Sequence, residues 1–480
     1  MGERAEPADI ARGTGTGGRS NRRRGGNHHV DASPEVLTGW CRTAPSRADV
    51  YRPTEPGEVK AILDAAPARG AIARGLGRSY GDPAQNAGGA VVDLTLMSGL
   101  QSIDLERGIA TAAAGTSIDD LLRWLVPLGW FVPVTPGTRF VTVGGAIASD
   151  IHGKGHHSDG TWGAHVHAMT VQLPGGQIRT LTPDETPAEF WATIGGLGLT
   201  GIVLDATFDL VPIETSLMAV DTERARDLDE LMAKMSDGDD AYRYSVAWID
   251  CLSTGASMGR GVLTRGDHAR LDELPAKKRK KGPLHYRGEI LASAPPWVPN
   301  GLANPLSIRA FNEVWFRKAP KHHHGLETIP YFWHPLDGIA NWNRMYGSRG
   351  FLQYQFVVPF EAGETVRLAV ERLSAAGTAS FLAVLKTFGP ANPAPLSFPS
   401  KGWTLALDIP VGDDALPALL DGLDDLVLEA GGSIYLAKDS RLRPELVPAF
   451  YPRLDEWRNV RERMDPDHVL QSDLARRLGL

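Results

Sequence analysis

Residues 73–82 read Ala-Arg-Gly-Leu-Gly-Arg-Ser-Tyr-Gly-Asp, and two chemistries compete for them. Gly77-Arg78-Ser79-Tyr80-Gly81 fits G-x-S-x-G, the turn that presents the serine nucleophile of a hydrolase. The glycine density fits equally well a loop whose backbone N–H groups point inward around a phosphate. Context separates the two. A nucleophile turn runs from a strand into a helix, whereas here Pro83, Gly88 and Gly89 lead through a loop into the strand pattern Ala90-Val91-Val92-Asp93-Leu94. The sequence therefore predicts a diphosphate cradle and sets Ser79 aside as a nucleophile.

Two further glycine clusters lie downstream. From Val132 to Lys154 turn residues alternate with small side chains, so backbone approaches something closely there. Gly196, Gly198 and Gly201 match G-x-G-x-x-G, but a nicotinamide fingerprint needs a strand before it and a helix after it. An apolar strand-like run, Gly201 to Val211, follows instead. Three glycine clusters within about 130 residues suit a dinucleotide better than a single phosphate.

The elements that must hold these loops can be read around them. Val59, Ile62 and Leu63 sit at helical spacing after Pro56-Gly57, and Ala71-Ile72-Ala73 resumes as a strand, which places the first glycine loop directly after a strand. Thr116 or Ser117 can cap a helix with Asp119 and Asp120 in its first turn and Ile118, Leu121, Leu122 and Leu125 on one face, ending near Pro127.

Composition sets the limits. With 480 residues, 42% hydrophobic and 22% charged, the chain is long enough for two domains with substantial cores. Cys41 and Cys251 are its only cysteines, too few for a disulfide framework or a thiolate zinc site. A formal net charge of −7 argues against nucleic acid as a partner of the whole surface. No apolar run is long enough to span a bilayer, and no signal-peptide core is read, which favours the cytoplasmic side. Arg22-Arg23-Arg24 hints at a twin-arginine address but no apolar segment follows, so residues 1–30 are read as a flexible Gly/Arg-rich tail. Lys277-Lys278-Arg279-Lys280-Lys281 is a compact basic run, either a solvated loop or a patch that meets anionic headgroups. Lys318 to Lys321 followed by His322-His323-His324 is a second one; three adjacent histidines rarely converge on one ion, and no metal site is expected.

The motifs R-G-x-G-R-S-Y-G-D, P-G-T followed by V-G-G-A-I-A-S-D-I-H-G-K, and G-G-L-G-L-T-G-I resemble the FAD-binding domain of the vanillyl-alcohol-oxidase (PCMH-type) flavoproteins. Within them, F-L-Q-Y-Q-F (351–356), F-G-P-A-N-P-A-P-L-S-F-P (388–399) and Y-L-A-K-D-S-R (435–441) are similar to the polyprenylphosphoryl ribose 2′-oxidases. The resemblance covers nearly the whole chain after the tail. It implies an α+β fold: a two-subdomain FAD domain over 31–214, a substrate domain with an antiparallel sheet flanked by helices over 215–432, and a C-terminal segment, 433–480, returning to the FAD domain. It implies that Ala73, Arg74, Gly75, Leu76, Gly77, Arg78, Ser79, Tyr80, Gly81, Asp82 and Pro83, then Gly137, Thr142, Val143, Gly144, Gly145, Ser149, Asp150, Ile151 and His152, and later Ile202 and Tyr435, surround FAD. Many superfamily members attach FAD through a histidine where this chain has Arg78, whose guanidinium has no nucleophilic lone pair. Noncovalent FAD follows, with His152 beside the flavin and Arg78 free to pair with the diphosphate.

The implied reaction oxidises the 2′-hydroxyl of a polyprenylphosphoryl ribose such as decaprenylphosphoryl-β-D-ribose to the ketone, with hydride passing to flavin N5, as the first half of an epimerisation that supplies cell-wall arabinan. Lys438 is expected at that hydroxyl, as base if burial lowers its pKa and as orienting cation otherwise. Tyr80 is the alternative proton handler. Trp248, Trp333, Gln353, Gln355, Lys386 and Thr404 are expected in the substrate pocket. A separate NAD(P)-dependent ketoreductase would complete the epimerisation, and a long prenyl tail implies peripheral contact with the inner membrane, facing the cell envelope or periplasm by family resemblance. Thr404 and Ala406 replace the family's frequent asparagine and cysteine, and Trp333 its tyrosine, so an inhibitor that needs a thiol there has none to trap. A flavin oxidase of another sugar or polyol is the main alternative; a hydrolase or a membrane-binding module would need no flavin.

Overall fold

The computed structural model describes residues 30–280, 282–378 and 380–480; the expected tail lies outside the described residues up to residue 29. The architecture is α+β, built on three principal sheets. In the first, Ser46–Tyr51, Ala90–Asp93 and Ala71–Arg74 run parallel, with Ser33–Leu37 antiparallel at one edge. Helix Pro56–Asp64 covers it with Val59, Ile62 and Leu63 buried. The second is antiparallel in the order Leu100–Asp104, Ile109–Ala113, Ile202–Asp209, Val166–Gln172 and Ile178–Leu181. The helix beside it, Ile118–Leu125, is capped by Ser117, whose hydroxyl accepts from the Asp120 N–H.

The third sheet has eight strands in the order His322–Thr328, Leu217–Ala225, Gly261–His268, Tyr244–Ile249, Ala383–Phe388, Gly402–Pro410, Phe351–Val358 and Ser433–Ile434. Side chains alternate across such strands, and the two faces have different tasks. Tyr354, Phe356, Leu405 and Leu407 bury one face with Val366, Ala369, Val370 and Leu373 of helix Gly363–Ala375. The opposite face is left to line a cavity.

Beyond that sheet the chain crosses back to the first half. Trp457, fully buried on helix Leu454–Met464, donates its indole N–H to the Ala192 carbonyl at 3.0 Å. Leu470 bridges Ala71 in parallel, beside the strand that feeds the first glycine loop. On the following helix, Asp473–Leu478, Arg477 bonds Asp82 (2.7 Å) and Asp439 (2.8 Å). One guanidinium thus joins the end of the glycine loop to the segment that carries Lys438.

Candidate active site

A cavity of about 610 Å³ lies between the glycine loops and the free face of the eight-stranded sheet. Its first wall is mostly backbone. Residues 73–80 line it, and among the described residues the amide N–H groups of Leu76, Gly77, Arg78 and Ser79 have no acceptor in the chain. Unpaired amides directed at an enclosed space make a nest for an anion. The glycines give the clearance: a Cβ on Gly75 would lie 2.3 Å from Thr142 Oγ1, and Gly77 sits at φ +64°, where side chains are strained. Thr142, Gly144, Gly145, Ser149, Ile151, His152 and Gly137 continue this wall.

Cationic and aromatic groups finish it. The Arg78 guanidinium lies 3.9 Å from the Trp40 ring centroid, and its buried Nε has no partner. His152 is buried, with Nε2 3.0 Å from the Gln355 amide nitrogen and Nδ1 unpartnered. Burial, reinforced by Lys386, holds its pKa well below the usual imidazole range, so the ring is neutral. Tyr435 donates its hydroxyl to the Ser149 carbonyl (2.7 Å), fixing the ring beside His152.

The second wall is made of side chains from strands far apart in sequence. Trp248 pairs with Val384, Val384 with Ala406 and Ala406 with Gln355, a single row across four adjacent strands. All four line the cavity, together with Val246, Val262, Thr264, Lys386 and Gln353. Period-two alternation explains the pattern: one residue in two along each strand faces in.

Lys438 reaches the cavity from the turn after Ser433–Ile434 and holds its ammonium 3.7 Å from the Tyr80 ring centroid. Behind it the Gln353 amide donates to Asp408 at 2.5 Å, and the Tyr346 hydroxyl lies 3.4 Å from the same carboxylate. Burial lowers the pKa of Lys438 and raises that of Asp408, while the opposite charges of the pair restrain both shifts; Lys386 pushes Lys438 further down. Burial pushes the Tyr80 phenol well above its ordinary range. Lys386 is pushed down to about 8 by burial and, among the described residues, has no carboxylate in ion-pair range. Lys154 is pushed down to about 7 by burial, offset in part by Glu327, and its ammonium bonds the Phe332 carbonyl.

Of the residues expected from sequence, six do not line the cavity. Gly81 packs on Asp439, where a Cβ would meet a carbonyl oxygen at 1.8 Å. Asp82 pairs with Arg477. Val143 is buried in the core, and Ile202 likewise, although its neighbours Gly201 and Val203 face the cavity. Asp150 braces loops, accepting from the Gly163 N–H (3.0 Å), Asn392 (2.6 Å) and Ser397 (2.5 Å). Thr404 stands behind Gln355, receiving its amide at 3.3 Å and donating to the Phe356 carbonyl at 2.8 Å. The other expected residues are brought together: Ala73, Arg74, Pro83, Trp333 and those placed above all line the cavity. Sequence reasoning missed Trp40, Lys154, Trp342, Asp408 and Arg477. No local signal marks Asp408, whose contact with Gln353 depends on the register of two strands distant in sequence.

Residues 48–182 match a family model described as an FAD binding domain. The chain is 47% identical to decaprenylphosphoryl-beta-D-ribose oxidase of Mycolicibacterium smegmatis, over 92% of this chain and 97% of that protein. The chain belongs to that oxidase family. It is an FAD-dependent oxidoreductase, and the unpaired amides, glycine clearances and unpartnered Arg78 Nε fit FAD in the first wall. An uncharacterized protein of Streptomyces coelicolor is 42% identical over 75% of the chain and 99% of its own length. Mouse L-gulonolactone oxidase is 28% identical over 41% of this chain and 46% of its own. In this chain Arg78 stands in the loop and Ala406 and Trp333 line the cavity, with Thr404 behind Gln355.

Proposed function

We propose that the protein oxidises the 2′-hydroxyl of a polyprenylphosphoryl ribose, with decaprenylphosphoryl-β-D-ribose as the model substrate. The observation that carries this reading is Lys438, held over Tyr80 at the meeting of the two walls with Asp408 and Gln353 behind it. A secondary alcohol gives up a hydroxyl proton and a carbon-bound hydrogen. The proton goes to the neutral Lys438 amine, whose burial makes that form accessible near neutral pH. When bound, FAD supplies the two-electron acceptor for the hydrogen that leaves the carbon as hydride. Tyr80, its phenol held protonated, orients the hydroxyl by hydrogen bonding; Gln353 and Gln355 hold the neighbouring ribose hydroxyls. Lys386 is the cation for the phosphate, and Trp248, Val246, Val262 and Val384 take the start of the prenyl chain.

In this reading FAD is held noncovalently, with Arg78 at its diphosphate and His152 beside its ring. Residues 31–214 form the FAD domain, 215–432 the substrate domain, and 433–480 return to close the site. Product reduction by a separate NAD(P)-dependent ketoreductase completes an epimerisation for arabinan, and the prenyl tail keeps the enzyme peripheral to a membrane. No helix of the described residues is long and apolar enough to cross one.

Two assays test the proposal. Turnover of a prenylphosphoryl ribose with none of free ribose is expected; turnover of free sugars or polyols alone would overturn the substrate assignment. After acid precipitation the yellow colour is expected wholly in the supernatant, and colour retained in the pellet would mean a covalent bond, with His152 the first residue to map.

A further inference from the structure

Eleven of the nineteen large hydrophobic side chains exposed among the described residues fall between Ile290 and Met345. Four of them, Leu306, Phe311, Val314 and Trp315, lie on helix Pro305–Lys318, which buries only Ile308 and Asn312. Leu306, Ala310 and Val314 follow at i, i+4 and i+8 along its outer side, with Leu306 80% and Val314 66% exposed. Beside them Phe311 and Trp315 stack at 6.0 Å. The loop before the helix presents Leu291 (82% exposed) and Trp297 (76%). Apolar groups this exposed and this clustered mark a contact surface.

Charge and position identify the contact. Residues 290–321 contain four Lys and Arg (Arg309, Arg317, Lys318 and Lys321) against Glu313 alone, an excess of three positive charges in a chain whose formal net charge is −7. Glu313 is itself paired with Arg260 and Arg317. Apolar and aromatic side chains among cations match the boundary of an anionic bilayer, where tryptophan sits at headgroup level and lysine meets phosphate. The surface is also continuous with the cavity: Trp315, Lys318, Ala319, Pro320, His323 and Tyr331 belong to both. From this rim the lining passes to Val262, Trp248 and Val384 on the sheet.

We propose that helix Pro305–Lys318 and the preceding loop, residues 290–302, form a membrane-docking face that seats the cavity mouth on an anionic lipid surface. A prenyl chain then slides from the bilayer along the apolar sheet wall without crossing water. The exposed apolar side chains anchor the enzyme, and the cations add a salt-dependent attraction. The proposal rests on the prenyl-substrate reading, and its test is arranged so that each can fail separately.

The full-length FAD-loaded protein and a variant with Leu291, Trp297, Leu306 and Val314 all replaced by Gln are sedimented with vesicles of phosphatidylcholine and phosphatidylglycerol in a 3:1 ratio, at low and high salt. Both proteins are also assayed on a water-soluble ribose phosphoryl ester with two isoprene units. The wild type is expected to sediment, and the variant to lose more than about tenfold in partitioning while keeping its flavin content and soluble turnover. Wild-type protein that stays in solution, or a variant that sediments undiminished, would overturn the docking face. A wild type that elutes as a dimer and ignores vesicles would assign the surface to a second copy of the chain and overturn it as well. Failure of the wild type on the soluble ester would instead strike the substrate reading. If the fourfold variant loses flavin, Leu306→Gln and Val314→Gln singly are used, each expected to weaken sedimentation measurably; no weakening in either overturns the proposal.

Discussion

The two walls of the cavity solve opposite problems. The glycine wall spans little more than one stretch of chain, from Ala73 to His152 for most of its lining, and works through backbone N–H groups and the lack of side chains. The sheet wall draws Trp248, Gln353, Gln355, Lys386 and Lys438 from positions almost two hundred residues apart, and works through titratable and amide side chains whose behaviour burial sets. A backbone nest tolerates change in what lies beside it but not in its own glycines. A side-chain wall tolerates a changed backbone sequence but not a lost functional group.

Substitutions break the comparison most sharply at the sheet wall. Lys438→Met is expected to lower kcat by about 10³-fold with flavin content unchanged, since loss of a positioned proton acceptor costs 10²- to 10⁴-fold; single-turnover flavin reduction measures it. At the glycine wall the opposite signature is expected. Gly75→Val places carbon against Thr142 and should release FAD, so purified protein carries less than about a tenth of the wild-type flavin per chain, read from visible absorbance. A Lys438 variant that lost flavin, or a Gly75 variant that kept it and lost only kcat, would dissolve the distinction.

Asp408→Asn sharpens it. The carboxylate favours the charged form of Lys438, so its removal lowers the lysine pKa further and moves the basic-group limb of the kcat/KM profile to lower pH. A limb that stays in place would show that Asp408 does not act on Lys438. A smaller effect concerns stability. His156 and His268 are buried and pushed down to about 3, against an ordinary value of 6.5. Between those values the unfolded chain binds protons that the fold excludes, so stability is full above pH 6.5 and falls as pH drops. From pH 7 to 4.5 a loss of about 2.5 kcal/mol per histidine is expected, measured by urea unfolding; replacing His268 by Phe should flatten the slope.

The same contrast governs how much the sequence discloses. Residues 73–80 and 142–152 were readable because glycine spacing and flanking strands carry the constraint locally, and the strand Ala71–Arg74 and the Ser117 cap follow from the same local rules. Lys438, Lys386, Gln353 and Gln355 were reached through family resemblance, since no local signal states that strands at 353, 386 and 404 are neighbours. Asp408 went unassigned for that reason: its partner Gln353 becomes visible only when the register Gln353 to Asp408 is known. Asp82 and Asp150 were placed around FAD by the family resemblance; Asp82 pairs with Arg477 and Asp150 accepts from the Gly163 N–H, so both brace the loops.

The bridge from Arg477 to Asp82 and Asp439 has a consequence for synthesis. The glycine loop is complete after residue 83 has been translated, but the strap that holds it against the Lys438 segment lies almost four hundred residues later. The strap can therefore form only after the helix at 473–478 has been made, and a chain cut short before it would lack the guanidinium that ties the loop to the Lys438 segment.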